Sequence, residues 1–322
     1  MITIYSYDIA EGTLARPSME ELPTIFESEN TDLWVDLEAP TPNEIAILRD
    51  VFDFHELAIE DCIDTDIEEA KIDDYEDYLF LVFHSVFFQS DTLMFDFIEL
   101  DMFFGKNYVV TYHKKPTPGI KLLKKRLEKT INFMGRGSDE ILHAIVDSLV
   151  DNYLASFKKL ERAIFQIENE ILSNATKNTF NNLFKIKRGL INLRRTLTPE
   201  VEVVESLGGT EYDLIQEENK IYFQDVHDHI SNVEGRLRSY IEMVNGTMDS
   251  YVSITQHRMN STMQALTVVA TIVLLPTLIT SIYGMNLDLP FQDNPHGFLI
   301  VTCFCMALVI FMLRYFKKRE WF

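Results

Sequence analysis

The spacing of apolar positions divides this 322-residue chain into two regimes. Over residues 1–113, short runs rich in β-branched and aromatic side chains alternate with helical stretches, and five of them predict strands at 2–5, 33–37, 78–84, 95–100 and 107–112. Between them Thr41, Pro42 and Glu44 predict a helix start, with Thr41 as cap, Pro42 in the first turn and Glu44 closing a capping box. The expectation is an α/β or α+β domain carrying helices beside one sheet, within an α+β membrane protein.

After Pro116 and Pro118 the pattern is helical only. Segments near 138–172 and 177–207 predict a long antiparallel pair, which Gly208-Gly209 ends. A third helix is expected from about Leu214. Along it Val226, Ile230, Val233, Leu237, Ile241, Val244, Met248 and Val252 recur at steps of three or four, one apolar stripe. With no proline before Pro276 it runs on to Ile282, 69 residues and roughly 100 Å of helix. A helix that long needs neighbours, either its own chain's helix pair or a stalk built from several subunits.

The end of the chain is membrane-like. Residues 262–283 carry no charge over 22 positions, with Gln264 the only strongly polar side chain; at 1.5 Å per residue that is about 33 Å, enough to cross a bilayer core. A second uncharged run, 298–313, extends to Phe316 if Arg314 snorkels. Arg258 precedes the first span and Lys317, Lys318 and Arg319 follow the second, while residues 284–297 contain no Lys or Arg. The positive-inside rule then places both termini in the cytoplasm. The expected order is an acidic α/β domain (1–118), a helical pair (119–209), a stalk helix continuing into the first span (210–283), an external loop (284–297), a second span (298–316) and a basic tail (317–322).

Charge sharpens this reading. Residues 1–113 hold 27 Asp and Glu against 4 Lys and Arg, a balance of −23, and the remainder 23 against 25, or +2. Such a surface concentrates cations and disfavours nucleic acid, although it also serves solubility alone. Cys62, Cys303 and Cys305 build neither a disulfide framework nor a zinc knuckle. The first seven residues have no signal-peptide pattern.

At the outer end of the first span stands Ser281-Ile282-Tyr283-Gly284-Met285-Asn286. Gly-Met-Asn alone is weak, but its position at the outer boundary of the first of two C-terminal spans is specific. With this motif, Leu57-Ala58-Ile59-Glu60-Asp61, the stretch from Tyr222 to His229 and the Leu275-Pro276 pair, the chain resembles the CorA family of magnesium channels over nearly its whole length. The resemblance implies a pentamer in the cell membrane around one pore lined by the first span, with Gly284, Met285 and Asn286 as selectivity filter. It also implies regulatory magnesium held between Glu60 and Asp61 of one subunit and Asp225 of the next, with Asp147 and Asp151 nearby.

The chemistry is consistent with that. Magnesium sheds water reluctantly, so a ring of Asn286 amides that hydrogen-bonds its hydration shell avoids the cost of stripping it. Gly284 is expected to turn the chain, and Asp288 and Asp293 to concentrate cations; the competing reading of Asn286 is a helix C-cap. Below the motif Ser281, Thr277, Leu274, Ala270, Leu266, Met263 and Asn260 form one face. Thr277 and Asn260 offer polar stations, and Met263 with Leu266 an apolar constriction able to gate by dewetting. Leu274 departs from the Met common in the family, which bears on pore width there.

No GxxxxGK[ST] or HExxH occurs, which argues against an ATPase or metalloprotease. A channel needs neither, since a divalent ion moving inward through 100 mV releases about 4.6 kcal/mol. Two alternatives stay open: a zinc transporter of the same architecture, prompted by His227 and His229 beside Asp225, and a membrane-anchored cation sensor that conducts nothing.

Overall fold

The structure is a computed structural model that describes residues 1–28, 30–64, 67–127, 129, 134–174, 176–286, 289–290, 295–319 and 321. In chain order the elements are β1 (Ile2–Asp8), β2 (Thr13–Ala15), α1 (Leu22–Phe26), β3 (Thr31–Glu38), α2 (Pro42–Asp50), α3 (Glu56–Ile63), β4 (Lys71–Asp74), β5 (Tyr78–Gln89), β6 (Met94–Gly105), β7 (Tyr108–His113), α4 (Pro118–Leu127), α5 (Ser138–Asn174), α6 (Lys177–Leu207), α7 (Lys220–Tyr283) and α8 (Gly297–Lys318). They form two compact units, Met1–Glu170 with Lys177–Gly246, and Ile171–Thr176 with Thr247–Phe322.

The first unit is built on a seven-stranded sheet of order β2-β1-β3-β7-β6-β5-β4. Every pairing is antiparallel except β3 with β7. All five predicted strands are present. The sequence reading missed β2 and β4, which are three and four residues long and sit at the two edges; runs this short carry too few alternations to register. Aromatic and aliphatic side chains from β1, β3 and β5 to β7 interlock with α1, α2 and α3, among them Phe52, Phe54, Phe80, Phe103 and Tyr108. The α2 cap forms as expected: Glu44 Oε2 accepts the Thr41 amide at 2.8 Å.

The helical pair also matches its predicted limits. The third helix does not: it starts at Lys220, not near Leu214. Asp139, in the first turn of α5, accepts from the Gln216 amide at 3.0 Å and from Asn219 Nδ2 at 2.9 Å, and so holds residues 216–219 in a turn that delays the helix. Gly208 lets the chain pass close to α7, since a Cβ there would lie 3.3 Å from the Gln224 nitrogen.

The α7 stripe needs no partner subunit along its first half. Val226, Ile230, Val233, Leu237 and Val244 are fully buried within one chain. Ring contacts of His143 with Phe223 (5.7 Å) and of Phe157 with Tyr240 (5.3 Å) show that α5 covers part of it, the two helices running in the same direction. Burial of each such aliphatic side chain is worth about 1.5–3 kcal/mol, enough for the chain to satisfy this stripe alone.

In the second unit α7 and α8 pack as an antiparallel hairpin around Val268, Met312 and Phe316, with Ile272, Leu275 and Leu308 beside them. Only 6% and 17% of their most apolar windows are buried. Core helices of a soluble protein would be covered, so these two are long, apolar and uncovered in the manner of membrane spans.

Candidate functional site

Two groups of predicted residues occupy the structure: a face of the membrane segment of α7, and carboxylates of the first unit. At about 100° per residue, the positions from Met263 to Ser281 fall within about 60° of the point opposite Val268, the residue that α8 buries. Met263, Leu266 and Leu274 are accordingly 58%, 63% and 66% exposed, and Asn260, Ala270, Thr277 and Ser281 are exposed with them. Val269 and Val273 are equally uncovered, so the free arc has room for a pore face and for lipid or a neighbouring helix.

Threonine hydroxyls on this helix satisfy their own protons. Thr277 Oγ1 donates to the Val273 carbonyl at 2.7 Å, and Thr267 and Thr271 bond the preceding turn likewise. At Thr277, opposite the covered side, the oxygen is left with acceptor capacity, which suits the water shell of a cation.

The helix closes at Tyr283, where the Gly284 amide bonds the Thr280 carbonyl at 3.0 Å and the Met285 amide bonds that of Ile282 at 3.1 Å. Tyr283 Oη donates to the Pro290 carbonyl at 3.2 Å and ties down the start of the loop. Asn286 is exposed, and its side chain has no partner among the described residues. Its φ is not positive either, so it is not a left-handed C-cap.

Gly284 differs from expectation. Its backbone is not left-handed, and a Cβ there would meet nothing closer than 3.5 Å, so one chain by itself gives no reason for glycine. Gly284 lines a cavity of about 480 Å³ with Tyr283 and with Gly297, Phe298 and Cys305 of α8. Asp288 and Asp293 lie outside the described residues.

The carboxylates divide into two places. On α5 and α7, Asp147 is half-buried, and Asp151 and Asp225 are exposed. Burial, reinforced by the charge of Asp151, pushes the Asp147 carboxyl above its ordinary range, while His143, His229 and Arg126 pull it back. His229 Nε2 stands 3.9 Å from Asp225 Oδ2 one turn back on α7, and the charge of His229 is felt by Asp147 on α5. Asp147, Asp151 and Asp225 are hard oxygen donors, but within one chain they do not bring three ligand atoms within 4.8 Å of one another.

Glu60 and Asp61 make no hydrogen bond or ion pair with that group within one chain, among the described residues. Glu60 is exposed, while Asp61 is half-buried and already ion-paired. Lys71 Nζ lies 2.6 Å from Asp61 Oδ2, 3.0 Å from Glu68 Oε2 and 3.2 Å from Asp73 Oδ2. Burial opposes the ammonium charge, yet bonds to the three carboxylates outweigh it and hold the Lys71 pKa above the usual lysine range. The signal for this hub was present in the sequence, since Lys71 is one of only 4 cationic side chains in the acidic third.

Among the described residues one trio places three ligand-type atoms within 4.8 Å of one another, Asp36, Glu38 and His113. It needs no metal. Asp36 accepts from Thr111 Oγ1 at 2.6 Å, meets His113 Nε2 at 3.1 Å and is ion-paired to Lys124. Burial would raise the Asp36 carboxyl, but the His113 and Lys124 contacts hold it low. His227 and His229 do not converge with Asp225 on a common point: His227 Nε2 meets Ser231 at 3.4 Å, so the arrangement that would favour zinc does not form.

The sequence profile of the family described as CorA-like Mg2+ transporter protein matches residues 29–318. The putative metal ion transporter YfjQ of Bacillus subtilis is 36% identical over 290 residues, covering 90% of this chain and 89% of that protein. The cobalt/magnesium transport protein CorA of Thermotoga maritima is 26% identical, covering 99% of this chain and 92% of that one. Among solved structures, the complete CorA magnesium transporter from Methanocaldococcus jannaschii superposes with a TM-score of 0.86 at 20% identity, covering 100% and 99% of the two chains; at that identity the likeness establishes the fold.

Proposed function

Because the chain belongs to the CorA-like Mg2+ transporter family, and so is a membrane transporter of divalent cations, we propose that copies of it form a pentameric channel that admits hydrated magnesium to the cytoplasm. Cobalt, named for the Thermotoga maritima relative, is the second cargo expected. The observation that carries the reading is the placement of Thr277 and Ser281 on the side of α7 that α8 leaves uncovered, with Asn260 exposed a few turns below, under an Asn286 amide that has no partner among the described residues. Around a symmetric axis these positions become rings: Asn286 amides at the mouth grip the hydration shell, Thr277 gives a second station, and Met263 with Leu266 an apolar constriction toward the cytoplasm. Glycine at 284 then serves approach between neighbouring subunits, since its own chain does not require it.

Orientation follows from Arg258, Arg314, Lys317, Lys318 and Arg319 on one side of both spans, with both termini inside. The membrane potential supplies the driving force. Flux into liposomes loaded with a cation-sensitive dye is expected to follow magnesium and cobalt; uptake of zinc well above magnesium would overturn the ion assignment.

Control falls to the carboxylates. Magnesium bound between Asp61 and Glu60 of one subunit and Asp225 of its neighbour, with Asp147 and Asp151 close by, holds the ring closed. When cytoplasmic magnesium falls, Asp61 returns to Lys71, the bridge to Asp225 is lost and the ring loosens. In the Asp61→Asn, Asp225→Asn double variant, protection of the full-length protein from protease by added magnesium is expected to disappear. Protection at the wild-type magnesium concentration would remove these two residues from the sensor.

A further inference from the structure

The ammonium of Lys71 sits inside a shell of three carboxylates drawn from separate places in the sequence: Asp61 on α3, Glu68 before the sheet edge, and Asp73 two residues along β4. Its Nζ also lies 5.7 Å from the centroid of the Phe80 ring, so the side chain is held from one side by an aromatic face and from the other by oxygens. Lys71 and Asp61 are each partly open to solvent, at 32% and 27%. This is an oxygen-rich position of the kind a hard cation takes, with a covalently tethered cation already in it.

Resting on the reading that Asp61 is a ligand of the regulatory ion, we infer that Lys71 is a built-in competitor for that ligand, and that it sets the magnesium concentration at which the channel closes. A divalent ion arriving between subunits meets an Asp61 oxygen whose negative charge is already shared. It must draw the carboxylate away from Lys71 or displace the ammonium toward Glu68 and Asp73, which remain to receive it. Because the competitor is tethered, its effective concentration at Asp61 is fixed by the fold and does not vary with the cytoplasm. The hub therefore desensitises the sensor, so that it responds to the free magnesium level of a cell instead of being saturated at trace concentrations. Partly exposed ion pairs are individually weak, which keeps the displacement within reach of a free divalent ion.

The test is limited proteolysis of the full-length protein in detergent across a magnesium chloride titration, reading the half-protecting concentration. Lys71→Gln is expected to lower that concentration about 3- to 10-fold. In the Asp61→Asn background the same substitution should produce no further shift. Lys106→Gln, which removes another of the 4 cations of the acidic third, controls for bulk charge and should leave the midpoint unmoved. Lys71→Arg keeps the positive charge and adds a bidentate grip, so its midpoint should not fall below wild type, and this holds as a readout if the glutamine variant is poorly folded.

An unchanged midpoint in Lys71→Gln alongside a shifted one in Asp61→Asn would overturn the competitor role and leave the sensor standing. A shift of equal size in Lys106→Gln, or one that persists without Asp61, would also overturn it. An unchanged midpoint in Asp61→Asn would instead remove the sensor reading on which this inference rests.

Discussion

Replacing Asn286 with Ala is expected to abolish magnesium uptake, by about 100-fold or more, while leaving the assembled protein intact. The size follows from the chemistry of the mouth. A hydrogen bond to a charged partner contributes about 1.5–3 kcal/mol, and a factor of 100 in rate requires only about 2.8 kcal/mol. A symmetric ring loses every copy of that interaction at once. The substitution should spare folding because the amide is exposed and has no partner within the described chain. Dye-loaded liposomes measure the flux and native mass measures the assembly. Wild-type flux through the Ala variant would remove the amide ring from the mechanism, and a lost assembly would reassign Asn286 to subunit packing.

The largest effect on stability is expected at Glu200, which no motif or local pattern along the chain singles out. It is fully buried on α6 and receives three bonds: the His84 backbone amide at 2.9 Å, His84 Nδ1 at 3.1 Å, and the Tyr153 hydroxyl at 2.6 Å. His84 Nε2 in turn meets the Glu68 carbonyl at 2.9 Å. One carboxylate thus joins β5, α5 and α6. Glu200→Ala leaves the His84 amide, His84 Nδ1 and the Tyr153 hydroxyl buried without their partner, a loss of about 3–5 kcal/mol that should lower the thermal midpoint of the full-length protein by about 10 °C. A midpoint within about 2 °C of wild type would show that the pair contributes little against hydrophobic packing.

The same network predicts a pH dependence. Burial alone would push the His84 pKa down, but the bond and charge of Glu200, with Glu99 and the Glu68 carbonyl nearby, raise it above the ordinary value. A raised histidine contributes stability that is complete below about pH 6.5 and is lost as pH climbs through the folded-state pKa. Wild-type protein should therefore melt at lower temperature as pH rises across that window. Glu200→Gln should flatten the slope without removing it, because His113 is likewise raised by Asp36 and acts with the same sign.

Much of the architecture was legible along the chain. The two apolar C-terminal helices, the helical pair and the position of Gly-Met-Asn at the end of the first of them appear in the structure at or near their expected limits, and the five longer strands are present, although β5 and β6 each run five residues past theirs. Each rests on a property repeated over many consecutive residues, such as uncharged length or a helical period, and such properties accumulate locally. The six residues from Met263 to Ser281 share a face for the same reason, since rotation along a helix depends only on residue spacing, and by the same spacing Asn260 stands about 100° from the centre of that face.

The tertiary structure alone decided which groups meet. Lys71 and Asp61 are ten positions apart, Glu200 and His84 116, and Asp139 and Asn219 80. The scarcity of cations in the acidic third marks Lys71 but not which acids it meets, and nothing in the local pattern of the other two pairs marks the partner. Whether a carboxylate stands free for a cation or is held by a lysine, and whether the α7 stripe turns to its own chain or to a neighbour, depends on distances that arise only when remote segments are packed together. Hydrophobic period is a property of one helix, while the state of a charge is a property of everything within a few ångströms of it.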